Sequence, residues 1–297
     1  MGLVYGIIRN KMGEYAKGAS PENGAQMKLE REQLNIDMPW GSMKLLVSKP
    51  ENAGEPLPGL LWLHGGGYYE GMAEMVYFSR GFDAAQRYGA VIVSPEYRLS
   101  TAAPYPAALE DCYAALEWLY ENADELGVDR ARIMVGGESA GGGLTAAVCM
   151  LARDRGKIAV SYQFPLYPML DCLDTDSSRD NRGIFWNTKR NHEGWRRYLG
   201  ELYGSPDIPP YASPSRQTDH RGLPPCYTFV GDGEPFYCET VKYVEELKKA
   251  GVPAELDVYH IDVHAFDAFF PLLKVSREAR ASFNRHFEKA IRGGSNE

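Results

Sequence analysis

Nowhere does the sequence run apolar for the roughly 20 residues a membrane-spanning helix requires. No block of Lys or Arg appears and the net charge is −8, so the basic face of a nucleic-acid binder is missing. Neither a membrane nor a nucleic acid is expected as a partner. Cysteine is scarce and unpatterned: Cys112, Cys149, Cys172, Cys226 and Cys238 are odd in number, with no C-x-x-C pair and no zinc spacing. Free thiols in a reducing compartment account for them, and no metal or cofactor is expected. The opening MGLVYGIIRNKMGEY lacks the basic start, apolar core and small-residue cleavage site of a secretory signal. Gly6 stands where N-myristoylation wants Ser or Thr. These absences lead to the expectation of a soluble, cytoplasmic protein. Internal repeats and low-complexity tracts are also lacking.

What is present is a chain of 297 residues, 44% of them hydrophobic, enough for one large core. Strand-like runs alternate with helix-like ones. Residues 28–36, 42–48, 59–64, 90–96, 131–137, 160–167, 225–232 and 254–260 read as strands, several of them continuously apolar, as strands covered on both faces should be. Helical patterns fall at about 79–88, 107–123, 140–155, 237–250 and 276–292. In the second, Leu109, Tyr113, Leu116 and Leu119 form one apolar stripe. The alternation predicts an α/β fold with a mostly parallel sheet covered by helices on both faces. Two segments depart from it. Residues 1–40 begin with helix-like material. Residues 171–222 are polar and aromatic, too long for a bare loop, and read as an inserted helical cap in which Trp186, Trp195 and Tyr198 pack onto the sheet. That leaves 41–170 and 223–297 as the core.

One stretch, IMVGGESAGGGLTAAV, surrounds Ser139 with glycines between a strand and a helix. Gly137-Glu138-Ser139-Ala140-Gly141 fits G-x-S-x-G, in the strand–turn–helix context a nucleophile elbow requires. Such a turn is too sharp for side chains two positions either side, and it pushes the hydroxyl out at a helix N-terminus. A phosphate loop fits less well, since no Gly-Lys-Ser/Thr follows. LHGGGYY, directly after a predicted strand, leaves backbone amides uncovered: Gly65 and Gly66, with Ala140, could donate to an oxyanion. Tyr68 and Tyr69 are expected to line the substrate cleft. Of six histidines, His264 falls on the loop after the last strand, at the carboxyl edge where ligands bind in such sheets, and is the candidate base, with His260 as fallback. The acid follows another strand: Glu234 before Pro235, or Asp232. The order Ser139, Glu234, His264 is the nucleophile–acid–base order of α/β-hydrolases.

With these motifs in hand, HGGG at 64–67, GESAGGG at 137–143, EYRL at 96–99, PYPAALEDC at 104–112 and YASPSRQTDHRGLPPCY at 211–227, the chain resembles the hormone-sensitive-lipase-like esterases. The resemblance runs from about residue 40 to 270. It implies an α/β-hydrolase core of about eight strands, a helical cap made of the N-terminus plus the insertion, and hydrolysis of carboxylic esters, usually with short or medium acyl chains. The partner is then a small-molecule ester, and family habit adds a possible homodimer. The chain departs from the family pattern in three places: Glu138 stands for the usual Asp, Ser100-Thr101-Ala102 for Ala-Pro-Glu, and Glu234 for Asp. Glutamate is one methylene longer and is an accepted triad acid on this fold. Other activities open to the same motifs are an amidase, a lipase, or a non-catalytic small-molecule receptor of the same fold.

Overall fold

A computed structural model describes residues 26–51 and 56–292. The helix-like material expected before residue 26 lies outside the described residues. Eight strands form one sheet: β1 (Leu29–Met38), β2 (Gly41–Pro50), β3 (Leu57–Leu63), β4 (Val91–Pro95), β5 (Val128–Glu138), β6 (Tyr162–Leu166), β7 (Cys226–Gly231) and β8 (Ala254–Tyr259). Their order is β1-β2-β4-β3-β5-β6-β7-β8. β1 and β2 pair antiparallel, β2 meets β4 antiparallel, and every later pair is parallel. All eight predicted strands are present, with ends moved by a few residues.

The pleat sorts the core into two layers. In β3, Leu61 and Leu63 face one side while Leu60 and Trp62 face the other; Val91 and Val93 alternate with Ile92, and Ile133 and Val135 with Met134. Every residue of β4, β6 and β7 is buried, which is why these runs read as unbroken apolar sequence. β1 is the edge strand, mostly exposed, and its LEREQLNIDM is correspondingly polar.

The helices are α1 (Arg80–Tyr88), α2 (Ala107–Glu121), α3 (Ala123–Leu126), α4 (Ala140–Arg155), α5 (Thr188–Leu199), α6 (Tyr237–Lys249), α7 (Phe266–Phe269) and α8 (Lys274–Ile291). Leu109, Cys112, Leu116 and Leu119 of α2 join Leu144 and Val148 of α4 in one layer. Phe82 of α1 and Phe283 and Phe287 of α8 build the other. The interval between β6 and β7 holds α5 and two short 3₁₀ turns, fewer helices than its length suggested. Asn187 caps α5 by accepting from the Arg190 amide at 3.2 Å. Among the described residues no helix is long and apolar enough to cross a membrane.

Candidate active site

The carboxyl end of β5 turns straight into α4, and Ser139 is the turning residue. Its backbone sits at φ 58°, ψ −118°, a region costing about 1–3 kcal/mol for a non-glycine residue. Three hydrogen bonds hold it there: its amide donates to the Leu166 carbonyl, and its carbonyl accepts from the amides of Gly143 and Met169, each at 3.0 Å. The flanking glycines are required by contact. A Cβ on Gly141 would lie 2.1 Å from the Leu63 carbonyl oxygen, and one on Gly137 2.5 Å from the Gly141 oxygen. Serine is a favoured N-cap residue, yet this hydroxyl caps nothing. It points instead to His264.

Ser139 Oγ lies 2.9 Å from His264 Nε2, and the Glu234 carboxylate meets the other ring nitrogen, Nδ1. A carboxylate can only accept, so Nδ1 carries the proton and Nε2 presents its lone pair to the hydroxyl. Glu234 leaves β7 just before α6 and is fully buried; its second oxygen accepts from the Gly231 amide at 2.9 Å. His264 is seated edge-on between Tyr167 and Phe236, with ring centroids 5.2 Å and 4.9 Å away, so its plane is fixed by packing as well as by the carboxylate. Ala265, left-handed at φ 55°, swings the chain from the β8 loop into α7 directly after it.

The two alternatives fall elsewhere. Asp232 pairs with His260 at 2.7 Å on the surface, where the His260 side chain is fully exposed. That pair faces solvent and takes no part in the buried chain of hydrogen bonds.

Beside the elbow runs the glycine ribbon after β3. A Cβ on Gly65 would lie 2.9 Å from the Glu138 carbonyl oxygen and 3.3 Å from Ser139 Cβ, so only a glycine lets the ribbon come this close. At Gly66, φ +126° and a Cβ position 2.0 Å from the Glu70 oxygen exclude any side chain. The amides of Gly65, Gly66 and Ala140 donate to no carbonyl among the described residues. His64 braces the ribbon from below. Its Nδ1–H donates to the Gly65 carbonyl at 2.8 Å, and its ring stacks on Tyr97 with centroids 4.1 Å apart, while the Tyr97 hydroxyl donates to the His64 carbonyl at 2.8 Å. Burial pushes His64 down to about 4, so the ring stays neutral.

A cavity of about 190 Å³ opens over Ser139 and His264. Its walls are mostly apolar: Phe78, Tyr167, Phe185, Trp186 and Phe269 surround the glycine ribbon. Tyr68 and Tyr69, expected to line the cleft, do not. Tyr68 is buried beneath the segment before β7, its ring stacked on Tyr198 at 4.0 Å and its hydroxyl donating to the Met169 carbonyl at 2.8 Å. Its left-handed backbone, φ 69°, turns the side chain away from the cavity. Tyr69 lies outside the lining, half-buried under the Arg197 guanidinium. Trp195 and Tyr198 are packing residues, as expected, but Trp186 does both jobs: it covers Gly67 and faces the cavity. Phe78 and Phe269 carry no motif, and only the folded chain brings them to the site.

A model of the α/β-hydrolase fold family matches residues 60–268. The chain belongs to this family, among its hormone-sensitive-lipase-like esterases. The esterase LipI of Mycobacterium tuberculosis is 30% identical over 264 residues, 87% of this chain and 82% of its own length. The carboxylic ester hydrolase LipN of the same organism is 33% identical, across 84% of this chain and 67% of its own. Among solved structures, a bacterial heroin esterase superposes with a TM-score of 0.85 at 33% identity, over 96% of this chain and 90% of that one. EstE1, a carboxylesterase from a metagenomic library, gives 0.80 at 31% identity, over 90% and 91%. This hydrolase therefore acts on carboxylic esters.

Proposed function

We propose that ester hydrolysis runs through an acyl-enzyme on Ser139, with His264 as base and Glu234 as the acid that orients it. His264 Nε2 takes the hydroxyl proton as Oγ attacks the ester carbonyl. Glu234 holds the neutral ring in the correct tautomer and stabilises the imidazolium that forms. The amides of Gly65, Gly66 and Ala140 receive the tetrahedral oxyanion, aided by the N-terminal dipole of α4. His264 then protonates the departing alcohol, and water hydrolyses the acyl group by the same route. The observation that carries this reading is the unbroken hydrogen-bonded run from Ser139 Oγ through both nitrogens of His264 to a buried carboxylate.

Residues 171–222 act as the cap: Phe185, Trp186 and Arg190 from that segment close the cavity over the nucleophile. An apolar space of about 190 Å³ suits short to medium acyl chains. Initial rates across p-nitrophenyl esters from acetate to laurate test both parts. Turnover should be highest at the short and middle lengths and should vanish in Ser139→Ala. Rates rising steadily to laurate would contradict the acyl range, and activity surviving in Ser139→Ala would contradict the mechanism.

A further inference from the structure

Glu138 precedes the nucleophile, and the mechanism above leaves it without a role. It is the residue at which this elbow departs from the family's aspartate. One carboxyl oxygen accepts from the Arg80 amide at 3.2 Å, at the first turn of α1. The other makes no hydrogen bond among the described residues, and the side chain lines the cavity beside Ser139. The same cavity is walled by Phe78, Tyr167, Phe185, Trp186 and Phe269. A carboxylate with one free oxygen in an aromatic chamber is the chemistry that holds a cation, by charge and by cation–π attraction.

The charges behind Glu138 favour the same occupant. From α1 come Arg80 and Asp83, which pair at 2.9 Å; from α7 comes Asp267, 3.2 Å from the Arg80 guanidinium. Arg280 of α8 reaches Asp83 from farther out, at 3.8 Å. Tyr167 and His264 complete the surroundings, and burial keeps the Tyr167 hydroxyl protonated. The acids press on one another: burial, then the Asp267 charge, raise Glu138 to about 8. A cation in the chamber would relieve that repulsion. At the rim, Glu70 adds a carboxylate, while Arg190 is turned aside, donating to the Phe185 carbonyl at 2.8 Å and lying over the Trp186 ring.

We propose that Glu138 is a specificity-determining residue: its free oxygen and the aromatic walls receive an ammonium group carried by the ester near its scissile carbonyl. The proposal rests on the esterase reading and on Ser139 as nucleophile. Acetylcholine and 3,3-dimethylbutyl acetate test it, since they share one shape and differ by a cationic nitrogen in place of carbon. The readout is the ratio of their kcat/KM values from pH 6 to 9. Both esters use the same serine and histidine, so the rate of acyl transfer itself is common to both, and comparison with Glu138→Gln isolates the part of the ratio that belongs to Glu138. In the wild type the ratio should climb by about tenfold as Glu138 ionises. In Glu138→Gln it should stay flat and near its low-pH value. A flat ratio in the wild type overturns the proposal, as does a climb that persists in Glu138→Gln. A Glu138→Gln variant slowed equally on both esters, with the pH climb intact, would make the residue structural and overturn it too. Failure of the esterase reading looks different: neither ester is hydrolysed and a fluorophosphonate leaves Ser139 unlabelled.

Discussion

At the scale of single residues, the chemistry concentrates in side chains that motif and order in the chain already pointed to. Ser139, His264 and Glu234 lie 95 and 30 residues apart in the order 139, 234, 264, and each follows a strand whose apolar run could be read directly. Replacing Ser139 by Ala should lower kcat by about 10⁶-fold, the loss typical when a triad nucleophile is removed. Glu234→Gln should lose activity by about 10⁴-fold, by analogy with an amide replacing a triad acid, because the amide permits the wrong imidazole tautomer. Asp232→Asn should stay within a few-fold of wild type, since Asp232 faces His260 in solvent; steady-state kinetics on p-nitrophenyl butyrate checks both. The sequence left Glu234 and Asp232 as alternatives because both follow β7 within two residues of each other. What separates them is depth, and depth comes from how the β7 loop packs under His264. The two tyrosines after the glycine ribbon were misread for the same reason: nothing local reveals that the left-handed backbone of Tyr68 sends its ring inward.

Elements set how closely these residues approach. The β5–α4 turn tolerates no side chain at its flanks, and Gly141→Ala, with its Cβ 2.1 Å from the Leu63 carbonyl, must displace backbone rather than a flexible side chain. A loss of about 3 kcal/mol is expected, at the upper end of overpacking costs, readable as a lower urea midpoint. Gly67 contributes to the glycine ribbon and the cap at once: a Cβ there would lie 2.1 Å from the tip of the Trp186 ring. Gly67→Ala should push that ring out of place and raise KM for p-nitrophenyl butyrate by about tenfold, or about 1.4 kcal/mol, with a smaller effect on kcat. Unchanged KM would show that Trp186 does not shape the substrate chamber. Strands and long helices were legible because the pleat and the helical repeat write burial into the sequence. α7 was not, being a single turn, and the aromatic lining from Phe78 and Phe269 was not, because those rings meet only once the turn before α1 and the single-turn α7, distant in the chain, come together at the cavity.

For the whole molecule, two buried groups make stability depend on pH with opposite sign. Glu138 is raised from 4.5 to about 8, so the folded protein holds a proton that the unfolded chain releases; stability falls as pH rises from 4.5 to 8. His64 is lowered from 6.5 to about 4, so the unfolded chain takes up the proton first; stability falls as pH drops from 6.5 to 4. Glu138→Gln removes the first dependence. The stability of this variant relative to wild type should therefore grow between pH 4.5 and 8, with a slope of up to about 1.4 kcal/mol per pH unit; urea unfolding at a series of pH values measures it. The sequence showed the fold class and the sheet but not this network, since Arg80, Glu138 and Asp267 come together from three elements distant in the chain. The central claim is that the Ser139 hydroxyl attacks because His264 and Glu234 activate it. Its most direct test is intact-mass and peptide mass spectrometry after brief exposure to diethyl p-nitrophenyl phosphate. One diethylphosphoryl group on Ser139 is expected in the wild type, with labelling abolished in Ser139→Ala and slowed by orders of magnitude in His264→Ala. A label on another residue, or equal labelling rates in wild type and His264→Ala, would contradict it.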